Sequence, residues 1–322
     1  MTKEEVLKSK GLKKRFCKDC NLPINLFDEP YFMRRLNTLD VLFGCIKKFD
    51  VFCADLENFS DEQNYFEYYN SVKDSAITMI KNSQGYYKFI NDDFSDARII
   101  RHTIMLGKNN LYIEDNADKF FLSIDMKKAN FSALHHYDSE IFKKKATWED
   151  YIGAFTWSEH IKNSKYIRQV ILGACNPKKQ VTYETYLMTI LYLHIKDVLG
   201  EKVSFYSLTT DELIIDMQKT SCTIKEIEET ISSCQQNIGS LVRCELFKLR
   251  KLSHYGWLKE IYKLDDSNNM IKDSVVFKGV NADIYHQLVK HFFGNKITED
   301  DLVFYYNGEL ARFLKEVKNP WK

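Results

Sequence analysis

The sequence predicts an α+β protein: an antiparallel sheet backed by helices, preceded by a mainly helical N-terminal region. Three observations predict it. Apolar residues recur at helical spacing through much of residues 1–118. From Phe120 onward, short apolar runs alternate with helical stretches in the order strand, helix, long helical insertion, hairpin, helix, strand. Apolar residues make up 44% of the chain against only 12 Gly and 4 Pro, enough for sizeable cores and too few breakers for fibrous or long disordered segments.

Element by element, Leu36, Leu39, Leu42 and Phe43 form one helical stripe, and Tyr65, Phe66, Tyr69, Val72 and Ile77 a less regular second. Asn91–Asp93 and Gly107–Asn110 are turn signals. Phe120 to Ile124 suits a strand, with Asp125 beginning the turn out of it and Ala129 to His136 a helix. Ile161 to Lys179 reads as a basic helix: Ile167 and Ile171 mark its apolar face, while Lys165 and Arg168, three apart, share another. Tyr183 to Val198 is amphipathic through Leu187, Ile190, Leu191, His194 and Val198, and Gly200 stands where a C-terminal cap belongs.

Val203 to Tyr206 and Leu213 to Ile215 read as a hairpin with Thr209–Glu212 at its tip. Thr223-Ile-Lys-Glu226 is a capping-box pattern, opening a helix that carries Ile224, Ile227 and Ile231. Leu241 to Leu249, Tyr255 to Tyr262 and Val275 to Phe277 complete the strands. The domain division that follows is 1–118, a mainly helical region; 119–145 with 181–285, the sheet-bearing core; 146–180, a helical insertion; and 286–322, a small C-terminal region.

A chain of 322 residues makes about two domains. The net charge of +1 gives no global pull toward nucleic acid or membrane, so any anion-binding surface is local. Eight scattered cysteines form no compact disulfide framework, and reduced thiols are expected. The basic start, Met1 to Arg15, is not followed by an apolar run, and no stretch approaches ~18 uncharged apolar residues, so neither a secretory signal nor a membrane span is expected and a cytoplasmic location is.

The chemistry rests on two acidic positions. Asp125, and Asp211 with Glu212, stand at the edges of apolar strands, where a charge needs a compensating cation. An antiparallel sheet in the order above makes Asp125 and Asp211 neighbours, although they lie 86 positions apart. Paired carboxylates repel, and one would stay protonated unless divalent cations intervene. Two Mg²⁺ (or Mn²⁺) ions roughly 3.5–4 Å apart would be held by Asp125, Asp211 and the Met126 peptide carbonyl, with Glu212 in support. One ion would activate a 3′-hydroxyl and the other neutralise a leaving pyrophosphate. Lys165 and Arg168 would receive a nucleoside triphosphate. Against this stand plainer readings: a turn Asp or helix cap, an ordinary hairpin tip, a solvated basic face.

These segments resemble the palm and fingers of template-dependent DNA polymerases, over about residues 95–285. Phe121-Leu-Ser-Ile-Asp125 followed by a helix resembles the first catalytic motif of that superfamily. The helix Leu187 to Val198, then the strand and Thr210-Asp-Glu-Leu213, resemble the last. The Asp-Glu-Leu order is nearest to family A, with Thr210 in place of its His. Arg168 and Gly173 match the first two positions of a family A fingers pattern, while Asn176 replaces its aromatic, so base-pair checking and sugar discrimination are not implied. Cys244 to Lys251, Tyr255-Gly256 and Phe277 to Val280 are instead similar to strands that follow the catalytic hairpin in family B.

The resemblance implies metals on Asp125 and Asp211 and the incoming triphosphate on Arg168, with Lys165 assisting. Primer phosphates would fall on Lys248, Arg250 and Lys251, and the sugar near Asn130 and Phe131. It makes 119–145 with 181–285 the palm, 146–180 the fingers and 286–322 a thumb. Primer-template nucleic acid, DNA first, nucleoside triphosphates and accessory replication proteins are the implied partners. Two rivals remain: a catalytically silent polymerase-like module that binds nucleic acid or an assembly partner, and a helical interaction protein whose acids merely end strands. Cys17-Lys-Asp-Cys20 is half a zinc pattern without a nearby second half, and adjacent His135 and His136 diverge by about 100° on a helix, too far to grip one ion. No phosphate-loop, dinucleotide-binding or nucleophile-elbow motif is present.

Overall fold

The computed structural model describes residues 1–94, 104, 106–265 and 269–321. Among the described residues six α-helices precede the sheet: α1 (Lys3–Lys8), α2 (Lys10–Asp19), α3 (Tyr31–Phe43), α4 (Cys45–Leu56), α5 (Glu62–Lys81) and α6 (Gln84–Asn91). Leu36 and Leu39, and Tyr65, Tyr69 and Val72, are buried as their spacing requires, while Leu42, Phe43 and Ile77 pack at the margin of the same core. Asn91 belongs to the last turn of α6, so the turn signal there marks a helix end.

The remainder runs β1 (Phe120–Met126), α7 (Ala129–Tyr137), α8 (Trp148–Ile152), α9 (Glu159–Lys162), α10 (Lys165–Gly173) and α11 (Pro177–Leu199). Next come β2 (Phe205–Leu208), β3 (Glu212–Asp216), α12 (Ile224–Ser232), β4 (Val242–Lys251), β5 (Trp257–Leu264), β6 (Met270–Lys278) and α13 (Ala282–Phe292). A two-stranded ribbon, β7 (Val303–Tyr306) with β8 (Glu309–Arg312), closes the chain.

The large sheet has the order β2-β3-β1-β4-β5-β6, with every neighbouring pair antiparallel. The helical excursion α7–α11 carries the chain from β1 past β3 to β2, and α12 carries it from β3 past β1 to β4. The result is two interleaved split β-α-β units, extended by the β5–β6 meander. Side chains alternate across a strand, and the two faces of β1 have different fates. Leu122, Ile124 and Met126 join the main core with the helices; Phe121 joins Ile214, Phe247, Leu249 and Ile261 in a smaller cluster against Leu111 and Tyr112.

The basic stretch 161–179 is three helical pieces rather than one helix. Ser158, Ser164 and Asn176 each cap a new start, so local side chain-to-backbone bonding breaks the helix twice. Between Asn163 and Lys165, Ser164 also donates to the buried carboxylate of Asp19 at 2.7 Å; His160 (3.0 Å) and Tyr69 (3.0 Å) bond to the same group. α11 begins six residues earlier than its apolar stripe, at Pro177. Its buried positions include Gln180, Glu184, Leu187, Leu191 and Ile195, and Val198, expected on that face, is 54% exposed. Gly200 caps it with φ 53°, a conformation that favours glycine, and the Thr223–Glu226 capping box forms as expected.

The C-terminal segment folds back on the N-terminal helices. Arg35 of α3, almost fully buried, donates to the Val303 carbonyl at 2.5 Å; Arg34 pairs with Asp300, and Asn25 bonds to Asp283. A boundary at 285/286 would cut α13, and one at 180/181 would cut α11. No helix among the described residues is long and apolar enough to cross a membrane.

Candidate active site

Antiparallel register builds the site. Asp125 on β1 stands opposite Glu212 on β3 and opposite Arg243 on β4. The next peptide along, Met126 N–H, donates to the Asp211 carbonyl at 2.9 Å. Asp211 is thereby fixed at the tip of the β2–β3 hairpin, with Thr209 N–H returning to the Glu212 carbonyl at 2.8 Å. Two acids far apart in sequence are thus joined through their own backbones.

Both carboxylates line a cleft of about 760 Å³. Its floor is Asp125 to Asn130, its far wall is α10 and the start of α11, and Arg243 closes one side. Burial, and after it the charge of Asp125, raises the Asp211 carboxyl above the usual range. Glu184 on α11 lies deeper, 6% exposed, and burial together with Asp211 pushes its carboxyl up to about 7. Three acids therefore meet in one cleft, two of them strained by burial and by each other.

Of these three acids, only Asp125 has an ion pair among the described residues. Arg243 Nε–H and Nη2–H both donate to its Oδ2, at 3.1 and 2.8 Å. The far wall is cationic: Lys165 and Arg168 face the cleft from α10, as their spacing requires. Arg168 is held below its ordinary pKa by desolvation, with Glu149 acting against that, and its buried Nε has no hydrogen-bond partner among the described residues. A half-buried guanidinium on a cleft wall suits an anion. Lys128, at the start of α7, is instead clamped by Glu149 at 2.5 Å.

Several expected site residues sit elsewhere. Phe131 is buried against Phe142, with ring centroids 4.6 Å apart, and against Trp148, so it is a core residue and does not reach the cleft; Asn130 beside it does. Glu212 turns onto the open face of the sheet, where Ser123 donates to it at 2.5 Å, and it does not line the cleft.

Lys248, Arg250 and Lys251 do not form one phosphate-binding strip. Strand alternation sends Lys248 and Arg250 to one face and Lys251 to the other. Each is also engaged: Lys248 with Asp118 at 3.1 Å, Arg250 with Glu260 at 4.0 Å, and Lys251 with Glu114.

Glu184, Gln169, Gln180, Arg243, Lys127 and Lys128 are among the cleft residues that sequence reasoning missed. For Glu184 and Gln180 the signal was present: polar residues interrupt the buried face of α11 one turn apart. Arg243 needed the strand register, which spacing alone does not give.

Two acids and a carbonyl suit Mg²⁺, which keeps few protein ligands and takes the rest from phosphates and water. No group of three or more His, Cys, Asp or Glu side chains among the described residues is placed to hold a metal, so a closed structural metal site is absent there. Burial raises the Cys17 thiol and pushes that of Cys20 up to about 12. His136 spends both ring nitrogens, on Tyr183 at 3.0 Å and on the Gln236 carbonyl at 2.8 Å. No protein-family model matches the chain, and no curated protein sequence matches it.

Proposed function

We propose that this chain is a nucleotidyltransferase, most simply a template-dependent DNA polymerase acting on primed nucleic acid and nucleoside triphosphates. The observation that carries the reading is the meeting of Asp125 and Asp211 in one cleft, facing Lys165 and Arg168. Mutual repulsion between the acids is the electrostatic problem that a divalent cation relieves. Asp125, Asp211 and the Met126 carbonyl would hold Mg²⁺ or Mn²⁺, which when bound supplies hydroxyl activation and neutralisation of the leaving pyrophosphate.

The chain's own residues do the rest. Arg168 brings a guanidinium to the wall for a phosphate oxygen, and Lys165, one helical turn earlier, adds a point charge on the same wall. Asn130 offers a side-chain amide from the floor, where the sugar would lie. The sheet keeps the two acids in fixed register, so orientation is prepaid by folding. Accessory replication proteins as partners and a cytoplasmic location belong to the same proposal; all eight cysteines are free.

One observation favours a second reading. Arg243 already neutralises Asp125, as a site that binds nucleic acid without chemistry would tolerate. Primer extension with Mg²⁺ or Mn²⁺ separates the two. The polymerase reading expects incorporation by the wild type and none by Asp125→Asn or Asp211→Asn. Failure of the wild type on both primed DNA and primed RNA templates, with retained binding, would leave the silent module.

A further inference from the structure

We propose that Arg243 is a resident counter-cation which a divalent ion must displace from Asp125, so that the protein's own guanidinium holds back cation entry to the cleft. The inference rests on the metal-site reading above and concerns a residue outside it. Three features of the geometry carry it.

The first is the register. Arg243 is the β4 residue directly opposite Asp125, so its attachment is set by the sheet and not by a chance surface encounter. The second is how the pair is made. Two N–H groups converge on a single oxygen, Oδ2, so a cation that takes that oxygen must displace both. Among the described residues Asp125 is the one carboxylate ion-paired with Arg243.

The third is asymmetry. The Arg243 side chain is 61% exposed against 27% for Asp125, so the arginine is the partner free to leave. Its departure costs little, because an ion pair with an exposed, solvent-screened partner is weak. Asp211, more deeply set, lines the same cleft and has no ion pair among the described residues. One monovalent group thus quiets the outer acid and leaves the inner one strained. A divalent ion bridging both would relieve each, at the cost of expelling Arg243. The released guanidinium still borders the cleft, where a phosphate-bearing substrate is its natural next partner.

The test is Mn²⁺ binding to the full-length protein without nucleotide, read from the spectrum of free Mn²⁺ by electron paramagnetic resonance. Arg243→Gln is expected to tighten Mn²⁺ binding by about three- to tenfold, as loss of an exposed pair and of a neighbouring positive charge allows. Arg243→Lys, which keeps the charge but not the paired N–H groups, falls between that variant and the wild type. Adding Asp125→Asn to Arg243→Gln removes the gain.

Unchanged or weaker binding in Arg243→Gln overturns the proposal, as does a gain that survives Asp125→Asn. Should Arg243→Gln melt early, Arg243→Lys decides: tighter than wild type supports the proposal, and equal or weaker defeats it. The two hypotheses fail separately. A wild type that extends no primer while Arg243→Gln gains affinity sinks only the polymerase reading, and normal extension with unaltered Mn²⁺ affinity sinks only the counter-cation.

Discussion

Asp125 and Glu212 face each other across the β1–β3 ladder, while Asp211, one residue earlier, reaches the cleft from the turn. Adjacent acids in an Asp-Glu dipeptide are thereby divided between two jobs. One belongs to the cleft; the other accepts a hydrogen bond from Ser123 on the open face of the sheet. Glu212→Gln should consequently retain most of any primer-extension activity, whereas Asp211→Asn should lose it by a factor of about a thousand or more, as loss of a metal-holding group does. Equal losses in the two variants would show that the division is wrong.

Stability should move the other way at Asp211. Its carboxylate is destabilised in the folded protein by burial and by Asp125, so a neutral amide removes a penalty. Asp211→Asn is expected to melt at or above the wild-type temperature in the presence of a chelator. A clear drop in the melting temperature would mean that the carboxylate makes a stabilising contact.

Phe131 and Asn130 give a second contrast. Phe131→Ala should cost about 3–5 kcal/mol of stability by opening a cavity beside Phe142 and Trp148. Asn130→Ala should leave the denaturation midpoint nearly unchanged and raise KM for the nucleotide. Chemical denaturation and steady-state kinetics on the two variants together check both halves.

On the cationic wall, Arg168→Ala should raise the triphosphate KM about tenfold or more, because a phosphate hydrogen bond to a charged donor is worth roughly 1.5–3 kcal/mol. Lys165→Ala should do less, being a point charge at the cleft edge. Larger damage from Lys165→Ala than from Arg168→Ala would reverse the assignment.

A pH effect is expected far from the cleft, at the clasp between the chain's two ends. His286 on α13 is buried among Arg35 of α3, Lys290 of its own helix and Asp301, and bonds to the Asp301 carbonyl at 2.9 Å. Burial first, then the Arg35 charge, lowers its pKa from 6.5 to about 4. The folded state therefore binds fewer protons than the unfolded one between those values, and stability falls as pH drops from about 6.5 toward 4. His286→Gln should flatten that decline. Urea midpoints at pH 7, 5.5 and 4.5 measure it, and an unchanged slope would exclude His286 as the cause.

Much of the architecture was legible because two periodicities carry it. Phe120–Ile124 and Leu213–Ile215 are apolar enough to declare strands, and the Thr223 capping box fixed the start of α12. Helix starts were harder. Ser158, Ser164 and Asn176 each compete for backbone N–H groups, and nothing in hydrophobic spacing says which of them wins. Asp125 and Asp211 were legible because a charge beside a buried strand is costly. Arg243 and Glu184 were not, since their roles exist only after the strands pair and α11 packs behind the hairpin. Lys248, Arg250 and Lys251 misled for the same reason: clustering along the chain is not clustering in space when successive side chains point to opposite sides.

The bond from Ser164 to Asp19 ties the cationic wall to the far end of the polypeptide. Ser164 starts α10, so the aim of Lys165 and Arg168 is inherited from a carboxylate within the first twenty residues. The helical N-terminal region is thus a foundation for the cleft and not an appendage, and a fragment beginning at residue 119 would arrive without the footing on which its phosphate-facing helix stands.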